Sequence, residues 1–300
     1  MTQTQEALSN FRIWMLAIRP KTLPNAIGPV VVGTVVAAGD QAFRFGPALA
    51  ALVAALLLQI GSNLANDVFD FKKGTDTEKR TGPLRVTQAG LLTPAQVIKG
   101  MWVVFALAFC IGTYLIWIGG WPILAIGIAS IICAIIYTGG PFPLGYHGLG
   151  ELFVFIFFGP VAVCGTYFVQ AGSVAPAAWW ASLPVGLLIT AVIVVNNYRD
   201  MDEDKKAGKR TVAVRLGPRG TQIEYILLLA AAGAVPIIMW LTQQTSAWIL
   251  ISWLSLPFAL PLIKDMRTKK GAPLNATLAG TARLSLIYSL LFSLGYLLGI

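Results

Sequence analysis

Two short segments of the chain carry amide, carboxylate and ammonium side chains in the same order. The first contains Asn66 and Asp70 in an Asn-x-x-x-Asp pattern, and the second repeats the pattern with Asn196 and Asp200. Each is followed by a further Asp and by a cluster of Lys and Arg. Carboxylates are hard oxygen ligands that favour a hard divalent cation, which in turn bridges to phosphate oxygens. The repeated pattern therefore predicts that the protein binds magnesium and a diphosphate.

The first segment is expected at the inner end of a helix. Asn66 and Asp70 are one turn apart, so their side chains share a helix face. Gly74 is suited to a left-handed turn that ends the helix and brings Asp76 back toward them. We therefore expect the side chains of Asn66, Asp70 and Asp76 to converge.

The second segment also fits the inner end of a helix. Asn196, Asp200 and Asp204 step by four residues along one face, whereas Asp202 and Glu203 are expected to face water. The alternative is that both segments are solvated helix ends of the kind found at any membrane boundary. Ligand binding explains them better, because membrane topology requires cations in a cytoplasmic loop but does not require two acidic clusters with one spacing.

Basic residues after each segment are candidates for holding the phosphate oxygens. In Thr81-Gly-Pro-Leu-Arg85 and in Gly208-Lys-Arg-Thr211, glycine permits close backbone approach and arginine is able to hold phosphate oxygens in a fork. Membrane topology alone explains some of the other cations. The predicted diphosphate contacts are Lys79, Arg80, Arg85, Asn196 and Arg210.

The elements that must position these residues are membrane helices. With 56% hydrophobic and 12% charged residues among 300, the chain is too apolar for an ordinary soluble domain. Apolar runs near the roughly 20 residues needed to cross a bilayer predict nine transmembrane helices, although short loops within two pairs of runs leave eight or ten open. The runs are 22–39, 46–69, 95–116, 121–137, 150–170, 177–197, 221–243, 246–263 and 282–299. The fold prediction is an all-α polytopic membrane protein forming a single domain over residues 1–300.

The distribution of cations predicts an orientation. With the amino terminus in the cytoplasm, nine spans leave only Arg44 of the 22 Lys and Arg residues in an outer loop, as the positive-inside rule requires. Topology therefore explains the net charge of +9, and nucleic acid is not an expected partner. No cleavable signal peptide is expected, because residues 1–21 contain Arg12, Arg19 and Lys21 and no compact apolar stretch.

Other reactive side chains give weaker signals. Tyr137 begins a Gly/Pro-rich inner loop, where its phenol either contacts substrate or lies at the membrane interface without a further role. His147 is the lone histidine and is expected to be incidental. Glu151 begins the fifth helix, where it either caps the helix or orients a substrate. The three cysteines lie in apolar runs without metal or disulfide spacing, so core packing is expected.

Several segments along most of the chain carry a family resemblance. They are Arg19 to Pro24, Asn63 to Asp76, Gly82 to Gln88, Tyr137 to Pro141 with Gly148 to Glu151, and Asn196 to Asp204 with Thr211 to Gly217. Together they resemble the intramembrane aromatic prenyltransferase (UbiA) superfamily, and within it the branch acting on 1,4-dihydroxy-2-naphthoate in menaquinone or phylloquinone biosynthesis. Many superfamily members space the last Asp of the first motif four residues after the previous one. Here Asp76 follows Asp70 by six residues, as in the naphthoate branch.

The resemblance implies nine helices around a central cavity, with both motifs at its cytoplasmic end and a lateral opening for lipid substrates. It implies that magnesium holds a polyprenyl diphosphate whose tail lies in the apolar cavity of a cell-membrane enzyme. It further implies that 1,4-dihydroxy-2-naphthoate attacks through its carboxyl-bearing carbon with loss of carbon dioxide. The magnesium ligands implied are Asn66, Asp70, Asp76, Asp200 and Asp204, which are also the expected catalytic residues together with Tyr137.

Rival functions remain open at this point. Another aromatic acceptor, such as 4-hydroxybenzoate, would preserve the chemistry. A lipid or ion-coupled transporter would use a repeated motif, but its acids are expected near mid-membrane on interrupted helices. An intramembrane phosphotransferase would use clustered aspartates such as Asp67 and Asp70, but Phe71-Lys72-Lys73 then departs from its signature. A purely structural membrane protein has no use for two metal-binding segments.

Overall fold

The structure is a computed structural model that describes residues 8–75 and 81–300. Within those two ranges every regular element is helical, as predicted. The α-helices are α1 Asn10–Ile18, α2 Pro24–Gly39, α3 Phe45–Lys72, α4 Pro94–Gly119, α5 Trp121–Ile136, α6 Gly150–Ile156, α7 Ala162–Ala171, α8 Pro176–Arg199, α9 Met201–Lys206, α10 Val212–Leu241, α11 Leu256–Thr268 and α12 Leu274–Leu298. Short 3-10 turns cover Pro20–Thr22, Leu144–His147 and Ala247–Ser255, and a π-helical turn covers Phe157–Val161 between α6 and α7.

The prediction of nine membrane spans is confirmed only in part. Each predicted apolar run lies on a helix, but in the described chain seven helical segments are long and apolar enough to cross a membrane. The count rises to eight if Asn10–Thr22 and Pro24–Gly39, which meet at a bend of 50°, form one broken span. The remaining predicted run, 121–137, forms α5, which has 16 residues. At 1.5 Å per residue it covers roughly 24 Å, which is less than the hydrocarbon core of about 30 Å.

Local sequence signals explain where α3 ends and α4 begins. Gly74 adopts a left-handed φ of 69°, and this turn follows the last helical residue, Lys72. At the start of α4, the Thr93 hydroxyl accepts the Gln96 N–H while the Gln96 side chain accepts the Thr93 N–H, which is a complete capping box. The predicted Gly74 turn is therefore confirmed.

The main core is built around α8, which is buried along most of its length against α2, α7, α10 and α12. Small side chains allow the helices of this core to approach closely. At Gly33 on α2, an added Cβ would overlap the carbonyl oxygen of Val163 on α7. A second cluster joins α3 and α4 through Leu64, Val97 and Phe105. The space between these two packed regions is the cavity described below.

Candidate active site

A cavity of about 420 Å³ lies between the two packed regions. Apolar side chains of α3, α4, α5, α6 and α7 form most of its wall, whereas one end is lined by polar residues from both motifs. On the α4 and α5 side, Phe109 and Ile128 line the cavity and are also 49% and 46% exposed. The cavity therefore reaches the outer, apolar surface of the helical bundle. Its polar end contains Asn66, Asp70, Asn196, Asp200 and Asp204.

The first motif places Asp70 at the centre of a group of donors. Asp70 is only 4% exposed, yet its carboxylate accepts the Tyr146 hydroxyl at 2.6 Å. Arg85 Nη2 lies 3.4 Å from the other carboxylate oxygen. One turn earlier, Asn66 accepts a hydrogen bond of 3.0 Å from Thr138. Asn66 and Asp70 therefore both face the cavity, as their shared helix face predicted, and Arg85 lies against Asp70.

The neighbouring acid, Asp67, has a different task. Its two carboxylate oxygens accept the backbone N–H groups of Val86 at 3.1 Å and Thr87 at 3.0 Å. These bonds fix the loop that carries Arg85. Because Asp67 points at this loop and not into the cavity, the resemblance of Asp67 and Asp70 to a phosphotransferase signature is superficial.

Three predicted site residues, Asp76, Lys79 and Arg80, lie outside the described residues.

The second motif continues along one helical path across the end of α8. The Asp200 N–H bonds to the Asn196 carbonyl at 3.1 Å, and the Asp204 N–H bonds to the Asp200 carbonyl at 2.8 Å. All three side chains line the cavity, as their spacing predicted. Asp202 is exposed, in agreement with the sequence. The prediction for Glu203 was wrong, because this residue lines the cavity and accepts the backbone N–H of Thr81 at 3.1 Å.

A buried arginine supports the second motif. Arg199 donates from Nε and Nη2 to the two oxygens of Asp200, at 2.7 and 2.6 Å. It also donates to Asn196 at 3.0 Å and to Asn275 at 2.9 Å. The side chain thereby fixes Asn196 and Asp200 relative to α12. In the sequence Arg199 looked like one more inner cation, because its burial depends on packing that neighbouring residues do not reveal.

Lys209 joins the two motifs. Its Nζ lies 3.4 Å from Asp70 and 3.6 Å from Asp204, and 4.5 Å from the centre of the Tyr146 ring. The predicted contact from this stretch was the next residue, Arg210, whose side chain is exposed and does not line the cavity. The structure therefore brings Lys209, and not Arg210, to the carboxylates. The Gly208 turn decides which of the two side chains faces inward, and sequence spacing does not determine that direction.

Burial disfavours the charged form of an acidic group at the polar end of the cavity. It raises the pKa of the Asp204 carboxyl to about 6, and the Asp200 and Asp70 charges add to the rise while Lys209 opposes it. Burial together with the Asp70 charge also raises the pKa of the Tyr146 phenol, which therefore stays a hydrogen-bond donor. Acids crowded in this way are stabilised by a divalent cation.

The donor chemistry of both motifs fits magnesium, because carboxylate and amide oxygens are hard ligands. Among residues 8–75 and 81–300, no three Asp, Glu, His or Cys side chains converge closely enough to form a ready metal-binding group. The carboxylates instead pair with Arg85, Arg199 and Lys209. Asp70, Asp200 and Asp204 therefore have the right atoms for magnesium at one end of one cavity, while protein cations hold them in place.

The loop before α6 contributes further side chains. Tyr137 lines the cavity, and its pKa is raised by burial and by the charges of Glu151, Asp70 and Asp204. Tyr146, which bonds directly to Asp70, was not singled out, although it lies in the same Gly/Pro-rich loop. His147 contacts the Pro143 carbonyl, stacks on Phe142 and does not line the cavity.

Comparison with known proteins gives a consistent result. A model of the UbiA prenyltransferase family matches residues 26–295. The 1,4-dihydroxy-2-naphthoate octaprenyltransferase of Mycobacterium tuberculosis is 40% identical over 264 residues, which cover 88% of this chain and 89% of that protein. The Escherichia coli protein of the same name is 36% identical over 305 residues, with 98% of each chain covered.

A solved structure shares the fold. The UbiA homolog from Archaeoglobus fulgidus bound to GPP and Mg²⁺ matches with a TM-score of 0.69 at 14% identity, covering 94% of this chain and 99% of that one. Since the family model and these relatives each cover most of the sequence, the chain belongs to the UbiA prenyltransferase family.

Proposed function

We propose that this protein transfers a polyprenyl group from a polyprenyl diphosphate to 1,4-dihydroxy-2-naphthoate, with loss of carbon dioxide, in menaquinone or phylloquinone biosynthesis. One observation carries the proposal: two acidic motifs from distant parts of the chain face each other at the polar end of an apolar cavity. A diphosphate and a long hydrocarbon tail require these two environments side by side. The high identity to naphthoate prenyltransferases supports the choice of acceptor.

The polar end of the cavity would hold the diphosphate. Asn66, Asp70, Asp76, Asp200 and Asp204 would supply the oxygen ligands for magnesium, whose charge would stabilise the leaving diphosphate. Arg85 and Lys209 already lie against Asp70 and are able to turn toward phosphate oxygens. Asn196, Lys79 and Arg80 are the other proposed diphosphate contacts. These donors act where negative charge grows as the allylic carbon–oxygen bond breaks.

The apolar wall would hold the isoprenoid tail and shield the positive charge on its first carbon. Phe153 and Phe157 line the cavity, and Tyr137 lies nearer the motifs. The faces of aromatic rings attract a cation within about 6 Å, and the effect increases where water is excluded. Tyr137 keeps its proton because of its raised pKa, so it offers a neutral ring face and a hydroxyl donor.

The acceptor completes the reaction. Its carboxyl-bearing carbon forms the new carbon–carbon bond as the allylic carbon loses diphosphate. The bond between the ring and the carboxylate then breaks, its electron pair returns to the ring, and carbon dioxide leaves. This sequence balances without an added oxidant or reductant.

The topology we propose follows the positive-inside rule. All 300 residues form one domain with nine spans, in which α5 is a short span and α1 with α2 is a broken one. The polar end of the cavity faces the cytoplasm, because the loops of both motifs carry clusters of Lys and Arg. The membrane is the cell membrane, whose lipids border the cavity opening near Phe109 and Ile128.

The test is prenyl transfer by the purified protein in detergent with magnesium and a long-chain polyprenyl diphosphate. Dihydroxynaphthoate and 4-hydroxybenzoate are offered separately, and Asp70→Ala and Asp200→Ala serve as inactive variants. We expect product from naphthoate alone, dependent on magnesium and lost in both variants. Transfer to hydroxybenzoate alone would change the proposed acceptor. No product from well-folded protein would overturn the proposal, and ion-coupled flux in proteoliposomes would then favour a transporter.

A further inference from the structure

A hydrogen-bonded pair lies beside the second motif and is not used by the diphosphate site. Asn197, on the last turn of α8, lines the cavity and is 7% exposed. Its Nδ2 donates to Oε1 of Glu151, on the first turn of α6, at 2.8 Å. Glu151 is 8% exposed and does not itself line the cavity. The pair therefore connects the cavity wall to an enclosed carboxylate behind it.

Glu151 determines which way the Asn197 amide faces. Oε1 of Glu151 accepts from the NH₂ group of Asn197, so the donor end of the amide is turned toward Glu151. The planar amide must then present Oδ1 in the other direction. Among the described residues no hydrogen bond reaches this Oδ1, and the atom is not enclosed by protein, so it opens on the cavity. The cavity wall thus carries a fixed hydrogen-bond acceptor.

The enclosed carboxylate is costly for the fold. In the described part of the chain, Glu151 Oε2 is enclosed and has no hydrogen-bond partner. A buried polar atom without a partner destabilises the folded state. An apolar residue behind Asn197 would avoid that cost but would leave the amide free to turn over. A ligand that binds to Asn197 Oδ1 would require a fixed orientation of this amide, which the Glu151 carboxyl supplies.

A tyrosine lies at the same corner of the cavity. Tyr137 lines the cavity, and its hydroxyl lies against Gly150, where an added Cβ would be 2.7 Å from that oxygen. Asn197 directly follows Asn196 of the second motif. A ring bound here would therefore lie next to the diphosphate end of the prenyl substrate, beside Asn197 and the Tyr137 side chain.

We propose that Asn197 Oδ1, oriented by Glu151, accepts a hydrogen bond from a hydroxyl group of the aromatic acceptor and thereby selects acceptors that carry this hydroxyl. The inference rests on the proposed function. Asn197 touches the acceptor, whereas Glu151 is a positioning residue. A site built to bind a hydroxyl strongly rejects an analogue that lacks it, because the buried oxygen of the protein is then left without a partner.

The test compares dihydroxynaphthoate with two analogues, 1-hydroxy-2-naphthoate and 4-hydroxy-2-naphthoate, each of which lacks one hydroxyl. For every protein variant the penalty is the ratio of kcat/KM for dihydroxynaphthoate to kcat/KM for the analogue. The intrinsic reactivity of an analogue is the same with every variant, so a change in the penalty reports on the protein. The variants are Asn197→Leu and Glu151→Gln. Glu224→Gln is the control, since Glu224 interacts electrostatically with Glu151 but does not line the cavity.

We expect one analogue to carry a large penalty in the wild type and in Glu224→Gln. That penalty should fall at least tenfold in Asn197→Leu. It should fall less in Glu151→Gln, because a glutamine amide lets Asn197 face either way. The KM for the prenyl diphosphate should stay within twofold in both variants, which a general loss of structure would not allow.

If a variant has lost turnover, the same ratio is measured as dissociation constants of the acceptors by isothermal titration calorimetry. Unchanged penalties in both variants, or a parallel rise in the KM for the diphosphate, would overturn the inference while leaving the proposed function intact. Failure of the wild type to use dihydroxynaphthoate at all would instead overturn the proposed function, and the inference with it.

Discussion

The Asp70 carboxylate shows how individual residues create the site. It is nearly enclosed, yet a tyrosine hydroxyl, an arginine and a lysine lie within bonding or ion-pair distance. Donors of this kind compensate a buried carboxylate for the water it has lost. The partners of Asp70 thereby hold its oxygens at the polar end of the cavity, where a divalent cation would bind.

Lys209 should matter more than its neighbour Arg210. Replacing Lys209 with Met removes the cation between Asp70 and Asp204, whereas Arg210 is exposed. Hydrogen bonds to charged groups contribute about 1.5–3 kcal/mol, so kcat/KM for the prenyl diphosphate should fall roughly ten- to a hundredfold. Arg210→Met, measured in the same steady-state assay, should change it less than about threefold. A larger loss from Arg210→Met would restore the assignment made from the sequence.

Tyr146→Phe isolates one hydrogen bond. The substitution removes the hydroxyl that donates to Asp70 at 2.6 Å but keeps the ring beside Lys209. We expect kcat to drop roughly tenfold with saturating magnesium, because the Asp70 carboxylate loses a charge-assisted donor. Tyr198→Phe is the control, since among the described residues the hydrogen-bond partner of its hydroxyl is Gln222 of α10 and not a motif carboxylate. Equal activity of Tyr146→Phe and wild type would show that the hydroxyl has no part in the reaction.

Spacing in the sequence was sufficient to predict some of these residues and not others. Asp70, Asp200 and Asp204 were predicted because an interval of four residues defines a helix face. Lys209 and Tyr146 were missed because each follows a turn or lies in a loop, where the direction of a side chain depends on tertiary packing. Arg199 was missed for a related reason, since its burial against α12 comes from a part of the chain distant in sequence.

At the level of elements, the carboxyl-terminal ends of α3 and α8 carry the motifs, and described residues that follow them, Arg85 and Lys209, line the cavity. Apolar periodicity and length predicted where these helices lie. They did not predict the interruption of α8 at Asp200 or the π-helical turn before α7, because both depend on local backbone geometry. The loop after α3 is held by Asp67, which suggests a direct test.

Asp67→Ala should loosen the loop that carries Arg85. The backbone N–H groups of Val86 and Thr87 would lose their carboxylate partner. We expect their hydrogen exchange, measured by mass spectrometry in detergent, to accelerate roughly ten- to a hundredfold. Asp202→Ala, which removes an exposed acid, should leave the hydrogen exchange of this loop unchanged. Unaltered exchange at residues 86 and 87 in Asp67→Ala would contradict the role assigned to Asp67.

Close packing of α2 on α7 predicts a stability effect. Gly33→Ala would force its new methyl group against the Val163 carbonyl, and such overpacking costs about 1–3 kcal/mol. Thermal unfolding in detergent should therefore begin several degrees lower. Gly112→Ala on α4 meets no atom within 4 Å and should be neutral or slightly stabilising, because Ala favours helix more than Gly. Similar unfolding temperatures for the two variants would count against this packing.

At the level of the whole molecule, the polar end of the cavity should face the cytoplasm. The test uses a chain whose three cysteines are replaced by serine. Lys270→Cys then places a thiol on the membrane side that carries the Lys- and Arg-rich loops, and Ser173→Cys places one on the opposite side. A membrane-impermeant maleimide added to intact cells should label Ser173→Cys alone. Both positions should react after the cells are opened. Labelling of Lys270→Cys in intact cells would reverse the proposed orientation.

The exposed residues at the cavity wall have a consequence for chain length. A cavity of about 420 Å³ is the size of a pocket for a drug-sized molecule, so a long polyprenyl chain exceeds it. Where Phe109 and Ile128 meet the surrounding lipid, the remaining isoprene units would continue among the acyl chains. Such units are surrounded by acyl chains both before and after the substrate binds, so their contribution to the binding free energy is small. The bilayer would thus act as the missing part of the binding site, and the enzyme would distinguish the first few isoprene units while accepting any number beyond them.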